Sequence, residues 1–239
     1  MKRIALFLFL IFAIGFAWAD CPICWFYGGD FDPNMPGANG LSNENDANVG
    51  GDPYGSATYQ AVRVSGYGDG WGFDRLFTNN LSDLSPASGY WELRSGISEG
   101  NGGTLVASGT ASGYAWSHTP TGRSGFGFNE YTDMAYVDVS NLPDDVYWFA
   151  VVPIAQDQDG RSYNSNTFGL NSRGEQLLDQ QYWNSPYLGA NFTNANNIGE
   201  FPAFSSGISI WIPEPSSLIM LGTGMFGAAA ALKRIVTLR

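Results

Sequence analysis

Between residues 20 and 212 this 239-residue chain contains no lysine; Lys2 and Lys233 lie near its two ends. Schiff-base and P-loop chemistry both need a lysine amine, so neither belongs to that stretch. Histidine is reduced to His118 alone and cysteine to Cys21 and Cys24. So small a set of soft and imidazole ligands argues against a zinc enzyme. Charged residues make up only 14% of the chain. Glu, Lys and Arg are too scarce for a coiled coil or a helical bundle. The few bases between residues 20 and 212 are six arginines, set against 21 acidic residues, a net charge near −15. Such a surface repels nucleic acid and anionic lipid and favours cations or basic partners.

What the chain has instead is glycine, 31 residues, and aromatics, 15%. With 44% hydrophobic residues a packed core is available. Glycine-rich turns between short aromatic runs point to an extracellular β-rich body.

The N-terminus reads as a secretory signal peptide over residues 1–19. Lys2 and Arg3 supply the positive start, Ile4 to Phe16 is apolar, and Ala17-Trp18-Ala19 is an A-x-A site. Cleavage by signal peptidase there makes Asp20 the first mature residue. The other end reads Pro213-Glu214-Pro215-Ser216-Ser217, then a Leu-, Gly- and Ala-rich apolar run from Leu218 to Leu232, then Lys233-Arg234. A rigid proline stop, an apolar helix of marginal spanning length and a basic end form a temporary membrane plug, with the basic end held in the cytoplasm. The logic matches that of a GPI signal, whose hydrophobic tail is kept until an enzyme removes it.

Residues 213–234 resemble the PEP-CTERM sorting signal of Gram-negative bacteria. The resemblance implies recognition by an exosortase, transient anchoring in the inner membrane and release to the cell surface or extracellular matrix. The usual setting is a bacterium that makes exopolysaccharide. The chain continues past Arg234 as Ile235-Val236-Thr237-Leu238-Arg239, where the family often ends in an arginine cluster. The domain plan is then 1–19 signal peptide, 20–56 a loop-rich segment of the body, 57–212 a β-sandwich, and 213–239 the sorting signal with its transmembrane helix.

Within the body, period-two alternation recurs and helical periodicity does not. Gln60, Val62 and Val64 alternate with Tyr59, Ala61 and Arg63; Trp91 and Leu93 with Glu92 and Arg94; Ala135, Val137 and Val139 with Met134, Tyr136 and Asp138. Val146 to Val152 is apolar throughout, as expected of a central strand buried on both faces. Gly, Asn, Pro and Ser clusters at 65–70, 79–89, 95–103, 119–127, 140–145 and 155–166 read as turns between strands. The expected fold is all-β, a single jelly-roll-like β-sandwich flanked by the N-terminal signal helix and the C-terminal hydrophobic helix. The order Gly89-Tyr90-Trp91-Glu92-Leu93-Arg94, Thr104-Leu105-Val106-Ala107-Ser108 and Val146-Tyr147-Trp148-Phe149 also resembles exported bacterial sandwich modules that precede such tails. That likeness brings no catalytic residues.

Chemistry in the body has few candidates. Cys21 and Cys24 form a C-P-I-C pair, read as a disulfide in an oxidising compartment or as a cross-link to another chain. Haem attachment would need histidine where Trp25 stands. Asp30, Asp32 and Asn34, with Asp157 and Asp159 as a second element, offer oxygens for calcium, while Asx turns explain the same residues without a metal. Trp71 and Trp183 at loop edges are candidates for stacking on sugar, with core packing the alternative for each. Glu92 and Glu130 are candidates for the carboxylate pair of a glycosidase or for solvated strand faces. His118 reads as a surface or turn residue. The sequence therefore reads as a non-catalytic surface or matrix protein associated with exopolysaccharide or biofilm. A calcium-assisted carbohydrate-binding module and a glycoside-acting enzyme are the alternatives.

Overall fold

A computed structural model describes residues 24–45, 55–65, 71–155, 160–199 and 203–211. The expected signal helix, the sorting tail, Cys21, Asp157 and Asp159 lie outside the described residues. Within them the chain is all-β, in two sheets. The eight-stranded sheet holds β1 (Phe26–Tyr27), β2 (Gly40–Ser42), β4 (Trp71–Ser82), β7 (Trp116–Gly125), β8 (Phe128–Leu142), β10 (Ser162–Thr167), β13 (Ala203–Phe204) and β14 (Ser206–Trp211). The six-stranded sheet runs in the order β12 (Ala190–Asn194), β11 (Tyr182–Ser185), β3 (Ala57–Val64), β9 (Asp145–Pro153), β5 (Ser88–Ser95), β6 (Thr104–Ser112).

Strand β9 is the apolar run Val146–Val152, and it is buried on both faces as its sequence predicts. Its alternate side chains go to different cores. Tyr147, Phe149 and Val151 face the other sheet, together with Val62, Val64, Leu93, Phe73, Leu76, Ala135 and Ile208. Trp148, Ala150 and Val152 face outward and are covered with Tyr59, Ala61, Ile97 and Leu177. The alternations read in β3, β5 and β8 hold: Val62, Leu93 and Ala135 point into the inter-sheet core.

Several stretches that read as turns are strand. Asn79, Asn80 and Ser82 belong to β4, residues 119–125 to β7, and Ser162–Thr167 is β10, almost wholly buried. Buried amide and hydroxyl side chains are tolerated because they bond to each other and across the sheets. Asn43 Nδ2 donates to Val151 O at 2.9 Å, and Thr78 Oγ1 donates to the same carbonyl at 3.0 Å. Asn164 Nδ2 donates to Thr58 Oγ1 at 2.7 Å and to Ser206 Oγ at 3.0 Å. Phe204 N donates to Gln60 Oε1 at 3.0 Å. The space between the sheets is thus apolar at one end and hydrogen-bonded at the other.

Tight turns close the hairpins. Gly103, at φ 61°, starts the return from β5 into β6 in a conformation that favours glycine, and a Cβ there would lie 2.1 Å from Ser95 O. Residues 177–181 form a turn that leads into β11. Among the described residues no helix is long and apolar enough to cross a membrane.

Phe149 is fully buried and meets Phe26 edge-on at 6.4 Å. Phe149→Ala removes the side chain that joins the sheets at their centre. It is expected to cost about 3–5 kcal/mol in a denaturant titration.

Candidate functional site

Among the described residues, the cavity with the densest chemistry lies on the outer face of the six-stranded sheet. It holds about 410 Å³ and is lined by Glu44, Ser56, Ala57, Tyr59, Tyr90, Glu92, Arg94, Val152 and Asn184, with the backbone around Asn45 and Gly55. Sheet register builds it. Tyr90 pairs with Val152, Glu92 with Ala150 and Arg94 with Trp148. On the other side of β9, Ala61 pairs with Trp148, and continuing that register sets Tyr59 opposite Ala150 and Ala57 opposite Val152. Small Ala57 and Ala150 leave the middle of the face low. Tyr59 can then reach across β9 to Glu92 on β5.

Glu92 is the hub. Its Oε1 accepts from the Tyr59 hydroxyl and from Arg94 Nε at 2.9 Å, and its Oε2 from the Tyr90 hydroxyl at 3.1 Å. Burial pushes both phenols above their ordinary range, and the Glu92 charge pushes them further. They therefore remain donors. Arg94 Nη1 donates to Gly102 O at 3.0 Å, and the guanidinium lies over the Phe192 ring at 5.2 Å. Glu44 accepts from Ser162 N at 2.7 Å, and Arg161 stands 3.8 Å from its other oxygen. The result is a rigid array of acceptors and donors around a half-enclosed space.

Glu130 lies elsewhere. It stands on β8, two and four residues before Thr132 and Met134, which share the outward face of the eight-stranded sheet with Phe77. Glu92 and Glu130 thus sit on opposite outer faces and cannot flank one glycosidic bond. Glu130 is fully buried. It accepts from Arg123 Nε at 2.5 Å, Ser165 Oγ at 2.5 Å and Thr121 Oγ1 at 2.9 Å. Arg123 Nη1 continues to Asp30 Oδ1 at 3.1 Å, and Asp30 also accepts from the Tyr27 hydroxyl at 2.6 Å and from Asn171 Nδ2 at 2.5 Å. A guanidinium stands at the place where the sequence suggested a calcium ion. Asp32 caps its own turn, accepting from Asn34 N at 2.9 Å and from Asn34 Nδ2 at 3.0 Å, which is the Asx-turn alternative. Among the described residues no three His, Cys, Asp or Glu side chains gather as a metal site would require.

His118 is not a free surface residue. Its Nδ1 lies 2.7 Å from Asp133 Oδ1, and its ring stacks on Tyr131 at 4.2 Å. Asp133 is fully buried and also accepts from Asn80 Nδ2 at 2.7 Å. Asn80 Oδ1 in turn accepts from Asn43 Nδ2 at 3.0 Å. A polar chain therefore runs from His118 into the inter-sheet space. Gly96-Ile97-Ser98-Glu99-Gly100 has the letters of a nucleophile elbow, but it forms the β5–β6 turn, closed by reciprocal backbone bonds between Ser98 and Asn101. No strand-to-helix corner exists there, which that chemistry needs.

The remaining candidates are dispersed. Trp183 is anchored by its Nε1 to Ser42 O at 3.0 Å, and it alternates with Asn184, the residue that lines the cavity. Trp71 opens β4, and its side chain is outside what is described. Trp148 is core, with Nε1 donating to Gln180 O at 2.7 Å. Cys24 is disulfide-bonded and buried beside Tyr27 and Phe77. Asn184, Tyr59, Tyr90 and Arg94 were missed as a group because their meeting depends on strand order. The sequence signals were the outward parity of Glu92 and Arg94 and the amide of Asn184 beside Trp183, a group able to bond sugar hydroxyls.

Fold and site together define an all-β, two-sheet body with a polar surface cavity. Residues 212–234 match the PEP-CTERM protein-sorting motif. That motif implies processing by an exosortase and export toward the cell surface. No curated protein and no solved structure matches the chain.

The buried acids give the body a pH signature. Burial raises the carboxyls of Glu130 and Asp133 above their ordinary values, against the pull of Arg123 and of His118 respectively. An acid whose folded pKa is raised stabilises the fold below its unfolded value near 4, and that contribution is lost as pH rises through the folded value. Thermal scans are expected to give a higher midpoint at about pH 5 than at about pH 7.5. Asp133→Asn is expected to shrink that difference.

Proposed function

We propose that the protein is a non-catalytic component of the cell surface or extracellular matrix, associated with exopolysaccharide or biofilm. It is held briefly in the inner membrane by its tail and then released. The observation that carries the reading is the sorting motif at residues 212–234, joined to a two-sheet body. Export in this form delivers a folded domain to the outside, where a binding or structural role suits a chain poor in catalytic groups. The absence of catalysis is supported by the engagement of its candidate groups. Glu92 and Glu130 stand on opposite faces within ion pairs to Arg94 and Arg123, and His118 is bonded to Asp133. The cavity around Glu92, the site that best fits a polyhydroxylated ligand, supports the association with polysaccharide.

Fractionation of the producing cells tests this. The wild-type chain is expected in the extracellular or matrix fraction without its tail. A chain with Pro213, Glu214 and Pro215 all changed to Ala is expected to stay with the inner membrane at full length. Equal distribution of the two chains would contradict sorting by the motif. Release of reducing ends from glycans, lost in Glu92→Gln, would contradict the non-catalytic reading.

A further inference from the structure

The cavity on the outer sheet face has unused hydrogen-bonding capacity. The Asn184 side-chain amide makes no hydrogen bond among the described residues, although it lines the cavity, and it offers both a donor and an acceptor. Arg94 uses Nε and Nη1 on Glu92 and Gly102, and its Nη2 has no acceptor among the described residues. Glu44 and Glu92 bring two carboxylates to the same space, each fixed by donors from the fold. Half-buried Tyr90 supplies ring surface, and Ala57 and Val152, beside the buried edge of Tyr59, form an apolar floor.

This array selects a ligand by elimination. An anion meets two carboxylates and a strongly acidic body. A metal ion or an amine meets Arg94, and it would also have to displace the three donors already on Glu92. An apolar ligand would strand the Asn184 amide and the Arg94 Nη2 without partners. A neutral molecule that carries closely spaced hydroxyls satisfies acceptors and donors together, and its C–H faces suit a phenol ring and an alanine floor. At about 410 Å³ the space lies at the small end of ligand sites and suits a unit the size of a disaccharide.

We infer that the cavity bounded by Tyr59, Tyr90, Glu92, Arg94, Glu44 and Asn184 is a binding site for neutral sugar units. The site rests on the reading of the protein as polysaccharide-associated, and it names the part of the polysaccharide that is held. It uses neither Trp71 nor Trp183 and needs no calcium.

The test is a glycan array probed with the full chain purified in detergent, carrying neutral, uronic-acid and amino-sugar oligosaccharides, with and without chelator. Neutral glycans are expected to bind equally in both conditions. Asn184→Ala removes a hydrogen-bonding group that the fold does not use and should weaken binding about tenfold. Ala57→Leu fills the floor without touching a polar group and should weaken it at least as much. Both variants are expected to keep the wild-type melting temperature, and this separates loss of the site from loss of the fold. Absence of neutral-glycan binding, a preference for uronic acids or amino sugars, or unchanged binding in both variants would overturn the site. The array contains no sorting step. A chain that reaches the matrix in the fractionation but binds no glycan overturns the cavity assignment and leaves the matrix reading standing. A chain that binds glycan but stays in the membrane does the reverse.

Discussion

Strand β9 is buried on both faces, and the rest of the structure depends on that constraint. Its inward side chains, Phe149 at their centre, hold the two sheets together. Its outward side chains, Trp148, Ala150 and Val152, sit under a second apolar cluster. A strand with no solvent face needs neighbours on both edges and cover on both sides. β3 and β5 provide the edges, and the eight-stranded sheet provides one cover. The turn around Leu177 and the side chains of Tyr59 and Ile97 provide the other. The candidate site follows directly, because it is the low part of the outer cover, where Ala150 replaces a large side chain and the polar ends of Tyr59, Glu92 and Arg94 meet.

Charge is handled in the same economical way. With so few bases, each arginine that pairs in the body serves a specific carboxylate. Arg94 fixes Glu92 on one outer face. Arg123 joins Glu130 to Asp30 on the other, and so ties the segment after β1 to β7 and β8. Between the sheets, His118 Nδ1 is hydrogen-bonded to Asp133. Buried pairs of this kind add little net stability over an apolar packing. Their structural consequence here is to hold particular side chains in place, and at Glu92 this leaves a preformed array of donors and acceptors facing solvent.

Legibility in the sequence followed the physics of alternation. Val62, Leu93, Ala135 and the run Val146–Val152 announced their faces because apolar parity is a direct readout of burial. The sorting tail was legible because its function resides in the linear order of Pro213-Glu214-Pro215, an apolar run and Lys233-Arg234. Asn79, Asn80 and residues 162–166 read as turns but are strand. Their residue types are those of turns, and the partners of Asn79 (Ser205, Thr132), Asn80 (Asp133, Asn43) and Asn164 (Thr58, Ser206) make these amides acceptable in buried strands. Asp30 was legible as an ion-binding residue but not its partner, since Arg123 lies 93 positions away. The cavity was illegible for the same reason: β11, β3, β9 and β5 bring it together from four separated stretches of chain.

Native-state hydrogen exchange resolved by segment tests the dependence on β9 most directly. Amides of 145–153, with those of β3 and β5 bonded to them, should exchange only through global unfolding and be the slowest in the protein. Edge strand β6, with one neighbour in its sheet, should exchange faster. Exchange in 145–153 as fast as in 104–112 would contradict the account. It would mean that the outer cluster opens independently of the inter-sheet core, and that β9 does not carry both.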